Sequence, residues 1–312
     1  MFLDVLIFVV SLAGLVFSAD YFIDRSVELS YKYRLPKMVV GLTIVAIGTS
    51  LPEAAASLMA SLSGHPEIAI GNVVGSNICN IALILGLPAL LTPIVAKEKF
   101  VKRDGRLMLF VSTLLFALAA FTGSIPSWAG YIFLSAFLGY IFYLLKFSDS
   151  NAAEEEVDGE EYDTLIVFVG KLVASGGGII ISSNFLVDST VSLARAFSVS
   201  EAVIALSMLA LGTSLPELSV SIAAVKKQEG DILVGNIFGS NISNILMVLG
   251  LSSVVSAIPV KDSIFQIDLP IMLATSFLMV YFLSRPTGID KPRGIFFLAI
   301  YFSVILRCFL IG

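Results

Sequence analysis

The hexapeptide Gly-Thr-Ser-Leu-Pro-Glu stands at Gly48 to Glu53 and again at Gly212 to Glu217, each copy inside a long apolar stretch. The step between copies, 164 residues, constrains the fold more than anything else in the chain. It also carries Gly71 onto Gly235, Ser76 onto Ser240 and Asn80 onto Asn244 without a gap, and it pairs Gly14 with Gly178, Ser18 with Ser182 and Asp24 with Asp188. The chain therefore reads as two halves built to one plan.

Composition sets the medium. With 312 residues, 57% of them hydrophobic and 14% charged, the chain is too apolar for a water-soluble domain. A membrane-spanning helix needs about 20 apolar residues. Stretches of that kind run over roughly 3–23, 38–62, 68–92, 107–122, 127–145, 164–187, 201–225, 231–256, 267–284 and 294–311. The expected fold is an all-α polytopic membrane protein with ten transmembrane helices in two five-helix repeats. Five is odd, so the second repeat enters the membrane in the opposite sense and the repeats are inverted. The expected units are 1–145, an acidic linker at 146–163 and 164–312. The linker gathers Glu154, Glu155, Glu156, Asp158, Glu160, Glu161 and Asp163 with no EF-hand spacing, which reads as a solvated connection.

Lys and Arg collect on alternate loops: Arg25 to Lys37, Lys97 to Arg106, Lys146, Lys226 with Lys227, and Arg285 to Arg293. The positive-inside rule puts those loops and the acidic linker in the cytoplasm and both termini outside. The first stretch lacks a basic leader and a cleavage signal and reads as a retained helix of a cell-membrane protein. Cys79 and Cys308 read as unpaired thiols, and His65 falls in a loop. No feature points to nucleic acid, and the expected partners are the lipid bilayer and small cations, with a monomeric chain.

Glu53 and Glu217 are carboxylates at a depth where a charge costs roughly 2.5 to 3.5 kcal/mol on insertion scales. Pro52 and Pro216 lack an N–H, and Gly48 and Gly212 permit unusual backbone angles, so a helix break is expected at each motif. A broken helix in a membrane lines a cavity, where freed carbonyls serve as ligands. Ala46 and Ala210 are candidate carbonyl donors, and Thr49, Ser50, Thr213 and Ser214 add hydroxyls. In the second motif Ser76 and Asn80, like Ser240 and Asn244, are four residues apart and share a helix face. Asn77 and Asn241 lie off that face and are expected to bond between helices, and the Gly71 to Gly75 spacing suggests close helix packing. Hard oxygen ligands without paired imidazole or thiolate favour calcium or sodium over zinc or copper, and magnesium fits an all-protein cage poorly.

At these residues the chain resembles the cation/calcium antiporter superfamily, and within it the sodium/calcium exchangers. The resemblance covers nearly the whole chain and rests on the paired GTSLPE and GSNIxN motifs. It implies a central ion site bounded by Glu53, Asn80, Glu217 and Asn244. It further implies flanking sodium sites from Ala46, Thr49, Ser50 and Ser76 with Ala210, Thr213, Ser214 and Ser240, and first and sixth helices that slide across the rest. Exchangers of this kind often carry aspartate where this chain has Asn244, so the site here has a formal charge of -2, which balances one Ca2+. The expected function is exchange of Ca2+ for Na+ by alternating access, with no enzymatic step and no cofactor beyond the transported ions. Proton-coupled Ca2+ exchange on the same fold and a cation channel are the alternatives, and a hydrolase using Ser50 or Ser214 lacks a nearby base.

Overall fold

In lipid only a helix satisfies its own backbone within one segment, so apolar runs of this length fold as helices. The computed structural model describes residues 2–147, 165–196 and 212–311. Along the first part run α1 (Phe2–Lys32), α2 (Lys37–Thr49), α3 (Leu51–Leu62), α4 (Glu67–Leu90), α5 (Glu98–Thr122) and α6 (Ser127–Lys146). The second part holds α7 (Leu165–Ala196), α8 (Leu215–Lys226), α9 (Gly230–Val255), α10 (Ile264–Leu283) and α11 (Lys291–Ile311). Among the described residues, seven helices are each long and apolar enough to cross a membrane, and the bent pair of α2 and α3 brings the number to eight if it is one span. Of the other two expected stretches, 201–225 has its first part, 201–211, outside the described residues and the rest mostly in α8, and 294–311 falls within α11.

The two parts keep step. Helix α3 and helix α8 both run for 12 residues, and each end of α8 lies 164 residues beyond the matching end of α3. The longest helices, α1 and α7, pack together through reciprocal contacts of small residues. A Cβ on Gly14 would stand 2.8 Å from Ser182 Oγ, and one on Gly178 would stand 2.5 Å from Ser18 Oγ. A two-stranded antiparallel ribbon ties the parts at one end, with Ser124 opposite Pro259 and Ile125 opposite Ile258. Where α1 and α2 meet the α8 to α9 turn, Lys37 pairs with Glu229 at 2.9 Å and Lys227 with Asp24 at 2.8 Å.

The expected break between α2 and α3 is present as a 44° bend at Ser50. Its cause is the proline alone. Gly48 stays helical within α2, and the glycines with positive φ among the described residues are Gly64, Gly123 and Gly288. Pro52, with no N–H, leaves the Gly48 carbonyl without its helical donor. The expectation of close packing at Gly71 and Gly75 falls partly outside the described residues, since the counterparts of Met38 to Ala46 are 202–210. A Cβ on Gly71 would meet only Ile264 Cδ1, at 4.0 Å, and one on Gly75 meets nothing within 4 Å among the described residues. Their counterparts make a tight crossing: a Cβ on Gly235 would lie 2.5 Å from the Met38 carbonyl oxygen and one on Gly239 2.5 Å from Ala46 Cβ. That crossing of α9 on α2 brings the first hexapeptide beside the second half's polar residues.

The sequence does not announce the π-helical turns. Asn80–Ile84 and Asn244–Val248 both adopt π geometry, 164 residues apart, as does Gly41–Val45 in α2. A π-turn widens a helix by one residue and rotates the turns beyond it, and such turns concentrate at functional sites. Here two of them begin at the asparagines of the second motif.

Candidate cation site

Glu53 and Glu217 are the third residues of α3 and α8, following Ser50 and Ser214 at the N-cap positions. Ser-x-x-Glu is the spacing of a capping box, in which serine and glutamate would close on the helix's own N–H groups. Neither helix has a side-chain cap. The side chains turn inward instead, and both carboxylates are fully buried. Ser50 donates to Glu217 Oε1 at 3.4 Å. Glu217 is therefore attended by a hydroxyl from the opposite half. Neither oxygen of Glu53 has a hydrogen-bond partner among the described residues. The two helix N-termini also point at this spot, where their dipoles favour the ionised carboxylates.

Several buried polar atoms here have no hydrogen-bond partner: both oxygens of Glu53, Glu217 Oε2, Thr213 Oγ1, Ser214 Oγ, Ser76 Oγ, both amide atoms of Asn80 and Asn244 Oδ1. A buried unpaired polar group costs roughly 1 to 3 kcal/mol and a charged one more. So dense a cluster of orphaned oxygens is unfavourable unless a cation completes it.

The orientation of Asn244 follows from a chain of forced choices. The backbone carbonyl of Asn241 can only accept, and it takes Asn77 Nδ2 at 3.3 Å. That turns Asn77 Oδ1 toward Asn244, whose Nδ2 donates to it at 3.0 Å. Asn244 Oδ1 is left as a free acceptor facing away from the bond. Asn77 thus bonds between helices as expected, and in doing so aims Asn244; Asn241 Nδ2 instead bonds within its own helix, to the Ile237 carbonyl at 2.7 Å.

Sequence reasoning missed Asn72 and Asn236. Asn72 Nδ2 donates to Ser57 Oγ at 2.9 Å, and its counterpart Asn236 donates to Ser221 Oγ at 3.5 Å. Both residues obey the same 164-residue step, which was the signal available. Asn236 Oδ1 also collects the hydroxyls of Thr49 at 3.3 Å and Ser240 at 3.5 Å, so it joins residues of both halves. Ser243 adds a bond to Ser50 at 3.4 Å. The Ala46 carbonyl is buried and occupied, accepting the Ser50 N–H at 3.0 Å and the Thr49 hydroxyl at 3.3 Å. Ala210 lies outside the described residues.

Among the described residues there is no group of three or more His, Cys, Asp or Glu side chains placed to hold a metal ion. A cation here would rest on two carboxylates and otherwise on neutral oxygens, which suits Ca2+ or Na+ and disfavours zinc-type chemistry. A cavity of about 170 Å³ lies between α4, α10 and α11, lined by Gly71, Gly75, Ile78, Asp268 and Tyr301.

A multi-pass α-helical protein whose polar centre is assembled from two matched halves has the construction of a membrane transporter. The chain belongs to the sodium/calcium exchanger protein family, whose model matches residues 3–146 and again 167–310. From 3 to 167 and from 146 to 310 the step is the same 164 residues that separates the motifs. The chain is 32% identical to the sodium/calcium exchanger MaX1 of Methanosarcina acetivorans, over 97% of this chain and 99% of that protein. It is 34% identical to the inner membrane protein YrbG of Escherichia coli, over 88% and 87% of the two chains. Its fold matches the sodium-calcium exchanger NCX_Mj soaked with 2.5 mM Na+ and 10 mM Sr2+, with a TM-score of 0.85 at 32% identity and 98% coverage of both chains.

Proposed function

We propose that the protein exchanges Ca2+ for Na+ across the cell membrane by alternating access, binding both ions in competition at the site shared by Glu53 and Glu217. The observation that carries this reading is the set of buried, unpartnered oxygens contributed by both halves. Asn80 and Asn244 flank the carboxylates, while Ala46, Thr49, Ser50, Ser76, Ala210, Thr213, Ser214 and Ser240 supply the neutral oxygens for Na+ and Ca2+. The two glutamates give a formal charge of -2, enough for one Ca2+. The full chain is read as ten spans in two inverted repeats, 1–145 and 164–312, joined by the acidic linker 146–163. That linker lies in the cytoplasm, the termini lie outside, and the working unit is the monomer. Support comes from the reciprocal α1 to α7 contacts, the matched α3 and α8, and the repeated family match.

Proteoliposomes loaded with Na+ test it. External 45Ca2+ should accumulate only with the Na+ gradient. A site of charge -2 would also balance two protons, so uptake that tracks an imposed pH gradient and ignores Na+ would establish the proton-coupled alternative. Flux without any counter-ion would establish a channel.

A further inference from the structure

An apolar groove of about 160 Å³ opens between α1 and α8, one helix from each half. Leu12 and Val16 line it from α1, and Leu215 and Leu218 from α8. Leu12 and Val16 are each 43% exposed, so the groove is open along its outer side, where a spanning segment meets lipid. The 12 residues of α8 rise about 18 Å, close to the roughly 15 Å of hydrocarbon in one leaflet. One end of the groove is charged. Asp24 pairs with Lys227 at 2.8 Å and so fixes which ends of α1 and α8 lie together. Just inside that pair, one turn before Asp24 and one residue before Lys227, Asp20 and Lys226 both line the groove. Among the described residues neither makes a hydrogen bond or an ion pair, although their neighbours do. Two unlike charges thus border one apolar groove without meeting each other. The repeat does not require them: the matching positions in the other half are Asn184 and Leu62.

We propose that this groove holds one phospholipid whose headgroup carries both a phosphate and a primary ammonium, as phosphatidylethanolamine does. An acyl chain lies along Leu12, Val16, Leu215 and Leu218. The Lys226 ammonium, on a long apolar stem that can follow the groove outward, donates to the phosphate. The lipid's own ammonium donates to the Asp20 carboxylate, so each side chain gains a charge-assisted hydrogen bond. A purely anionic headgroup would satisfy Lys226 and set its charge against Asp20, and a choline headgroup has no N–H to donate. Seated in this way the lipid ties α1 of the first half to α8 of the second. The assignment stands independently of the exchange reading, since it uses none of the residues of the cation site.

The test is native mass spectrometry of the full chain, stripped of lipid in detergent and titrated with phosphatidylethanolamine, phosphatidylglycerol or phosphatidylcholine of the same acyl chains. The wild type should retain a single phosphatidylethanolamine about tenfold more tightly than either of the others. Equal retention of all three marks ordinary boundary lipid and overturns the proposal. Asp20→Asn should bring phosphatidylethanolamine down to the level of phosphatidylglycerol without weakening the latter, whereas Lys226→Gln should weaken both. A preference that survives Asp20→Asn overturns the proposal as well. Leu218→Trp fills the groove and should abolish the retained lipid in a chain that melts as the wild type does; tight phosphatidylethanolamine binding to that variant places the lipid elsewhere and refutes the assignment. Should Leu218→Trp fail to fold, the headgroup series on the wild type and Asp20→Asn still decides.

Discussion

Replacing Asn77 with alanine tests whether the site's geometry depends on the amide chain behind it. Asn77 touches no carboxylate; its bonds run to the Asn241 carbonyl at 3.3 Å and from Asn244 at 3.0 Å. Asn77→Ala removes both and leaves the Asn244 amide group buried with an unused donor, a cost of roughly 1 to 3 kcal/mol. Asn244 would then be free to rotate its N–H group toward the cation, where only its oxygen is useful. If that cost falls on the ion-bound state, at about 1.4 kcal/mol per factor of ten, Ca2+ affinity drops by roughly 5- to 150-fold. Asn77→Asp keeps an acceptor opposite Asn244, loses the Nδ2 bonds to the Asn241 carbonyl and the Met272 sulfur, and adds negative charge near the site. It should bind Ca2+ at least as tightly as the wild type. Equilibrium 45Ca2+ binding on purified protein, with thermal melting of each variant, reads both effects. An alanine variant that melts normally and binds within twofold of wild type would refute the reasoning. So would an aspartate variant as weak as the alanine one, since the acceptor would then be irrelevant.

The same geometry sets three further outcomes. Lowering the pH should raise the Ca2+ concentration needed for half-maximal uptake, because Ca2+ requires both Glu53 and Glu217 ionised and protons compete for those oxygens; pH-independent Ca2+ affinity from neutral to acid would contradict this. Asn244→Asp removes the N–H that Asn77 accepts and adds a third acidic group, so the charge moved per transport cycle, read as current across proteoliposomes, should change; an unchanged current would count against the charge accounting of the site. Gly178→Ala forces a methyl group to within 2.5 Å of Ser18 Oγ and should cost roughly 1 to 3 kcal/mol of stability by overpacking. Most of that loss should disappear when Ser18→Ala is added, and a thermal double-mutant cycle with no coupling would show that α1 and α7 do not pack this way.

Much of this arrangement was legible in the sequence because it is repeated. A single Gly-Thr-Ser-Leu-Pro-Glu could be a kinked packing motif, whereas two copies at one step placed both glutamates in corresponding roles and marked the helix break. The second motif was legible as a polar helix face carrying Ser76 with Asn80 and Ser240 with Asn244. What was not legible depends on neighbours rather than spacing. The π-turns at Asn80 and Asn244 leave no propensity signal, because the same apolar residues suit an ordinary α-turn. Asn72 and Asn236 stood in plain view in the repeat, yet their bonds to Ser57 and Ser221 require knowing how α3 lies on α4 and α8 on α9. The close crossing of α2 at Gly235 and Gly239 likewise shows only once the helices are placed. The first break was assigned to both glycine and proline, and the fold uses only the proline, since Gly48 remains helical.

The central proposal is that the two halves build one cation site between them, not one site each. Equilibrium 45Ca2+ binding to the purified chain measures that directly. One Ca2+ should bind per chain, Na+ should displace it, and either Glu53→Gln or Glu217→Gln alone should abolish it. Two bound Ca2+ per chain, or half of the binding surviving in each single variant, would show two independent sites and contradict a shared one.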